Sequence, residues 1–141
     1  MDSSGTAAIR RHDPRHLITV GMIWVSPNNP EIWGGFPPKE IAPEVDFLAV
    51  HVYPEEGKVD VAIDSLRRYQ VGKPIVVEET FPMKCSPSTW RDFLERSRGI
   101  VQGWLGMYWS LSPQDLEGSK DIVHGLLRGQ FDVMQRFNPN R

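Results

Sequence analysis

Lys73-Pro74-Ile75-Val76-Val77-Glu78-Glu79-Thr80-Phe81 is the stretch on which the fold turns. Its apolar run is near-continuous rather than alternating, as expected for a parallel strand covered on both faces. Before it, Val59, Ala62, Ile63, Leu66 and Tyr69 recur at helical spacing, and Gly72 with Pro74 stops that pattern. The stretch therefore reads as a helix, a turn and a buried strand that ends in two carboxylates.

Three similar runs flank it, at residues 17–22, 47–52 and 104–109, so the four runs start at 17, 47, 75 and 104, in steps of 30, 28 and 29. That step is the length of one strand-plus-helix unit. A (β/α)₈ barrel of about 250 residues spends about 31 on each unit. The expectation is an α/β chain of parallel strands alternating with helices, whose four units make half of such a barrel. Its 141 residues form one partial barrel domain over 1–141.

Helices fill most of the gaps. Ser88 is placed to N-cap a helix whose apolar face is Trp90, Phe93 and Leu94. A last helix is expected near Phe131 to Phe137, with Met134 on the same side. Thr6 to Arg11 reads as the tail of a helix, ended by His12-Asp13-Pro14 because a residue before proline avoids the helical region. Residues 26–42, rich in Pro, Asn and Gly, read as a long ordered loop with one short helix after Pro38. In a barrel this loop lies on the C-terminal face, where substrate sites are built.

Bulk properties narrow the function classes. Hydrophobic residues make up 40% and charged residues 24%, with a net charge of −2, which suits a neutral ligand and not nucleic acid. The single cysteine, Cys85, forms no intrachain disulfide and reads as a small side chain near the core. No apolar leader follows Met1 and no run of 18 apolar residues occurs, so neither a signal peptide nor a membrane span is expected. His12 and His16 stand at i, i+4, but Pro14 breaks the helix that would align them on a metal.

In parallel α/β folds chemistry collects at the C-terminal strand ends. There the second run presents His51-Val52-Tyr53-Pro54, the third Glu78-Glu79-Thr80 and the fourth Tyr108-Trp109-Ser110. Burying a carboxylate is costly unless it is hydrogen-bonded or functional. Strand alternation sends Glu78 and Glu79 to opposite faces. Glu78 is accordingly expected to cap the next helix or pair with a surface arginine.

The segment from Lys73 to Phe81 resembles the seventh-strand motif of the glycoside hydrolase clan A enzymes, particularly the family 5 cellulases and mannanases. Residues Asp46 to Pro54, with the His-x-Tyr pair His51 and Tyr53, resemble the sixth strand. Gly106-Met107-Tyr108-Trp109 is similar to the eighth strand, and Arg10 to Gly21 resembles the fourth helix and fifth strand. The resemblance implies the C-terminal half, about strands 5–8, of a (β/α)₈ barrel, and a retaining O-glycosyl hydrolase of β-linked polysaccharides or oligosaccharides, with no cofactor. It places the nucleophile on Glu79, with Tyr53 within reach of it and His51 near the substrate. It makes Trp109 a sugar platform, and Trp24 and Trp33 are further candidates for substrate binding.

One departure matters. The family's acid/base glutamate ends the fourth strand in an Asn-Glu pair, and no such pair occurs here. Glu31, Glu40, Glu55 and Glu56 lie in Pro- or Gly-flanked loops, which hold atoms less firmly than strand ends. The isolated chain is therefore expected to be inactive or very weak, and to self-associate through its open sheet edges. A non-catalytic carbohydrate-binding half-barrel is the alternative. A nucleotide-binding α/β domain fits less well, because no Gly-rich phosphate loop follows a strand.

Overall fold

A computed structural model describes residues 3–23, 36–107 and 111–137. The chain is α/β. Its elements run α1 (Ser3–His12), β1 (Gly21–Met22), α2 (Pro38–Ile41), β2 (Leu48–His51), α3 (Val59–Arg67), β3 (Ile75–Thr80), α4 (Pro87–Ser97), β4 (Gly103–Gly106) and α5 (Ile122–Arg136). Short 3₁₀ turns cover Ala42–Glu44 and Gln114–Leu116. The four strands form one sheet in the order β1-β2-β3-β4, and every pair is parallel.

The side-chain rows of the sheet explain its two faces. Met22, Val50, Val77 and Trp104 lie side by side across the strands, and Gly21, Ala49, Val76 and Gly103 form the neighbouring row. The first row, with Leu48 and Ile75, packs against Ala62, Ile63 and Leu66 of α3 and Trp90, Phe93 and Leu94 of α4. These are the residues that helical spacing puts on one stripe of each helix. The second row is made of small residues and faces the other way. Leu105, next along β4, points with it and is 57% exposed.

Three side chains tie strand starts to their neighbours. The Nζ of Lys73 donates to the Val45 carbonyl at 2.8 Å, joining the lead-in of β3 to that of β2. Gln102 accepts from the Ile75 amide at 2.7 Å. Asp46 accepts from the Ile18 amide at 2.6 Å and from the Arg10 guanidinium, linking α1, the approach to β1 and the start of β2.

Several boundaries differ from the sequence reading. Only Gly21 and Met22 of the first run pair as strand. Ahead of them Ile18 and Thr19 bond to Asp46 and Phe47 in a looser arrangement. Helix α4 is capped by Ser86, not Ser88. The Ser86 hydroxyl accepts from the Thr89 amide, and Pro87 fills the first helical position, where its missing N–H costs nothing. Helix α5 starts at Ile122, far ahead of Phe131. The Asp121 carboxylate caps it by accepting from the Val123 and His124 amides. Its first five residues leave Ile122, Val123 and Leu126 exposed, which hides the start of the helix from a reading based on apolar spacing.

The carboxylates that hold these junctions give the fold an acid limit. Backbone donation from Ile18, then the Arg10 guanidinium, keeps Asp46 below its usual range. The Thr89 hydroxyl, then the Ser86 amide, does the same for Glu56. A carboxylate depressed in the folded state contributes stability above its unfolded value and loses it as pH falls through the folded one. The urea midpoint should therefore hold near neutrality and drop below about pH 4, and Asp46→Asn should flatten part of that drop. A midpoint that stays constant down to about pH 3 would contradict this.

Candidate active site

The site is built where β2 and β3 end. The pairing Leu48↔Ile75, Ala49↔Val76, Val50↔Val77 skips one residue and resumes as His51↔Glu79. On the other side Val77 pairs with Trp104 and Thr80 with Gly106, so β3 spends one residue more than β4 over the same span. Both neighbours thus detect one bulge in β3 between Val77 and Thr80. A bulge sets two residues against one and breaks alternation locally.

The bulge corrects the expectation for Glu78. Glu78 and Glu79 do not part to opposite faces; both carboxylates reach the same imidazole. His51 Nε2 lies 3.0 Å from Glu78 Oε1, and His51 Nδ1 lies 3.6 Å from Glu79 Oε1. Glu78 neither caps the next helix nor pairs with an arginine in these contacts. The bulge also decides where Thr80 goes. Thr80 is fully buried and its Oγ1 accepts from the Trp90 indole at 2.9 Å, on the side of α4. Without the extra residue the helix-facing position would fall to Glu79, a carboxylate against Trp90 and Phe93, at a heavy desolvation cost.

Tyr53 follows β2 and completes the group. Its hydroxyl donates to Glu79 Oε1 and lies 2.8 Å from the Met107 sulfur. The sequence-predicted residues Glu79, His51 and Tyr53 are therefore brought together. The His51, Glu78 and Glu79 side chains are 31%, 26% and 32% exposed, so the cluster is open to a ligand yet partly shielded. Trp24, Trp33 and Trp109 lie outside the described residues.

Two participants escaped the sequence reading. Glu78 is one. Gly21 is the other: a Cβ there would collide with Glu78 Oε1 and stand 3.4 Å from His51 Nε2. The glycine gives the Glu78 carboxylate room to lie over β1. The sequence signal for Glu78 was the polar pair itself, which must turn away from the helix layer; Gly21 carried none.

The loop glutamates are engaged elsewhere. Glu55 pairs with Lys58 at 2.7 Å and with Lys84 at 3.5 Å. Glu56 accepts from the Ser86 amide at 2.7 Å and the Thr89 hydroxyl at 2.5 Å. Glu40 sits exposed on α2 and Glu31 lies outside the described residues. Cys85 packs against the main core, and burial followed by the nearby Glu56 charge pushes its thiol up to about 11. It is thus a poor nucleophile at neutral pH.

Among the described residues, no group of three or more His, Cys, Asp or Glu side chains is arranged to hold a metal ion. No helix among them is long and apolar enough to cross a membrane. Comparison of the chain with protein-family models, curated proteins and solved structures finds no match.

Proposed function

We propose that the chain is the C-terminal half of a (β/α)₈ barrel and carries the nucleophile, Glu79, of a retaining glycoside hydrolase acting on β-linked glycans. The observation that carries this reading is the Glu79 carboxylate at the C-terminal end of β3, accepting from Tyr53 with His51 beside it. Strand order adds support. Consecutive strands are neighbours throughout, as in a barrel wall. A doubly wound sheet would reverse its order at a switch point.

The chemistry assigns each residue a task. Glu79 attacks the anomeric carbon, and the leaving oxygen departs with a proton from a second carboxyl group about 5–5.5 Å away. Tyr53 orients Glu79 and, by donating to its oxygen, favours the ionised form that attacks. His51 meets sugar hydroxyls, and Trp109, Trp24 and Trp33 offer apolar platforms for sugar rings.

A mechanism-based fluoro-sugar with fluoride as leaving group tests the reading directly. Fluoride departs without protonation, so the reagent needs the nucleophile and not the missing acid. Mass spectrometry should find the adduct on Glu79. A folded chain that takes no label from gluco- or manno-configured reagents would overturn the assignment.

A second reading draws on the missing Asn-Glu pair: a half-barrel that binds glycan without cleaving it. It gives calorimetric binding of oligosaccharide with no adduct.

The open sheet makes a separate prediction. Strands β1 and β4 are the ends of the sheet among the described residues, and unpaired strand edges recruit other chains. Sedimentation velocity should show association that grows with concentration. A monomer at all concentrations, with one cooperative calorimetric transition, would count against a half-barrel.

A further inference from the structure

Glu78 has no task in the reaction just described, yet its carboxylate stands 3.0 Å from His51 Nε2 at the centre of the site. We infer that Glu78 is a positioning residue that fixes the tautomer and plane of His51, so that Nδ1 is presented beside Glu79 as a bare hydrogen-bond acceptor.

Three observations support this. Glu78 Oε1 stands 3.0 Å from His51 Nε2, a hydrogen-bond length, while Nδ1 stands 3.6 Å from Glu79 Oε1, too far for one. An ionised carboxylate only accepts, so the contact at 3.0 Å requires the proton on Nε2. A neutral ring with its proton there leaves Nδ1 as a lone pair. The Glu79 oxygen nearest Nδ1 already accepts from Tyr53. Among the described residues nothing donates to Nδ1, which is left to receive a proton donor from a ligand.

The arrangement is built into the backbone at two points. The β3 bulge keeps Glu79 out of the helix layer and on the side of Glu78, so that both carboxylates meet His51. Gly21 on β1 leaves the space that the carboxylate fills. Tyr53 after β2 holds the Glu79 carboxylate, and a Cβ at Gly21 on β1 would stand 3.4 Å from His51 Nε2. If Glu79 acts on a sugar, as proposed above, Nδ1 selects a hydroxyl that donates, next to the reacting carbon. That consequence rests on the glycosidase reading; the ring geometry does not.

Two-bond proton–nitrogen correlation spectra of the imidazole rings test it on the chain as it is. Mildly alkaline buffer keeps an ordinary imidazole neutral. In the wild-type chain His51 should show a protonated Nε2 and a bare Nδ1. In Glu78→Ala the two nitrogen shifts should move toward each other as the tautomers mix. Gly21→Ala should do the same without touching either partner chemically. Its new methyl collides with the far end of the Glu78 side chain, which must move, and stands 3.4 Å from His51 Nε2, an ordinary contact. Glu78→Gln should give an intermediate spectrum, because an amide can accept from or donate to Nε2.

A wild-type His51 protonated on Nδ1 overturns the inference outright. So does a ring spectrum unchanged in Gly21→Ala or in folded Glu78→Ala. Loss of dispersion in one variant leaves the other to decide. A chain with the expected tautomer that takes no fluoro-sugar label refutes the glycosidase and leaves this inference standing. A labelled Glu79 beside a His51 protonated on Nδ1 does the reverse.

Discussion

Trp90→Ala is expected to destabilise the fold by about 3–5 kcal/mol, the cost of removing a large buried aromatic side chain. Domains of this size hold only about 5–15 kcal/mol in total, so the variant should lose a large share of its stability. Trp90 is fully buried on the inner face of α4, within the core that joins α3, α4 and the sheet. Part of the loss is packing and part is polar. Its indole N–H satisfies Thr80 Oγ1, which no water reaches, since Thr80 is itself fully buried. Trp90→Phe separates the two contributions. It keeps most of the packing and leaves the Thr80 hydroxyl without its donor, at about 1–3 kcal/mol. Urea denaturation of the three proteins measures both. A Trp90→Ala loss under about 1 kcal/mol would mean that α4 is not docked as described.

The same pair connects core to site. Thr80 follows Glu79 directly, so the Trp90–Thr80 bond pins the residue after the bulge. Loosening it should let β3 slip toward regular alternation, which would carry Glu79 away from Tyr53. Trp90→Phe is thus expected to weaken the site more than its folded fraction alone explains.

Much of this was legible in the sequence. The spacing of four apolar runs foretold an α/β chain with parallel strands, because strand-plus-helix units have a narrow range of lengths. The helix between Lys58 and Arg68 was visible from its apolar stripe alone. Only the C-terminal part of helix α5 was, because Ile122, Val123 and Leu126 do not face the core. The signal for its start was Asp121, a capping carboxylate, and not periodicity. The cap of α4 was placed two residues late for a related reason: Ser86-Pro87 states the boundary more strongly than the later serine. At the site, alternation gave the wrong fate for Glu78, and a wider view of β3 corrects it. Ile75 and Val77 face the helices, so strict alternation would have driven Glu79 into the core. Two adjacent carboxylates followed by Thr80 fit only if one extra residue is inserted. Gly21 was beyond reach, since its value lies in a contact with a residue 57 positions away.

Glu79→Gln should abolish covalent labelling by a fluoride-activated fluoro-sugar, slowing it at least about a thousandfold. Removing the nucleophile of a covalent mechanism elsewhere costs on the order of 10⁶ in turnover. An amide oxygen is neutral and nearly isosteric, so binding should survive while bond formation fails. Tyr53→Phe supplies the graded counterpart. It deletes one donor to the Glu79 carboxylate, and a hydrogen bond to a charged group is worth about 1.5–3 kcal/mol. At about 1.4 kcal/mol per factor of ten, labelling should slow about 10- to 100-fold, with the adduct still on Glu79. The order of the effects is the discriminating result. A structural glutamate would make the Tyr53 and Glu79 variants comparable, and would leave any adduct elsewhere on the chain. A nucleophile held by its tyrosine makes the glutamate variant worse by orders of magnitude. Label found on Glu78 in the Glu79→Gln protein would shift the attacking role across the bulge, since both carboxylates approach the same imidazole. That outcome would also explain why the bulge turns two carboxylates, and not one, away from the core.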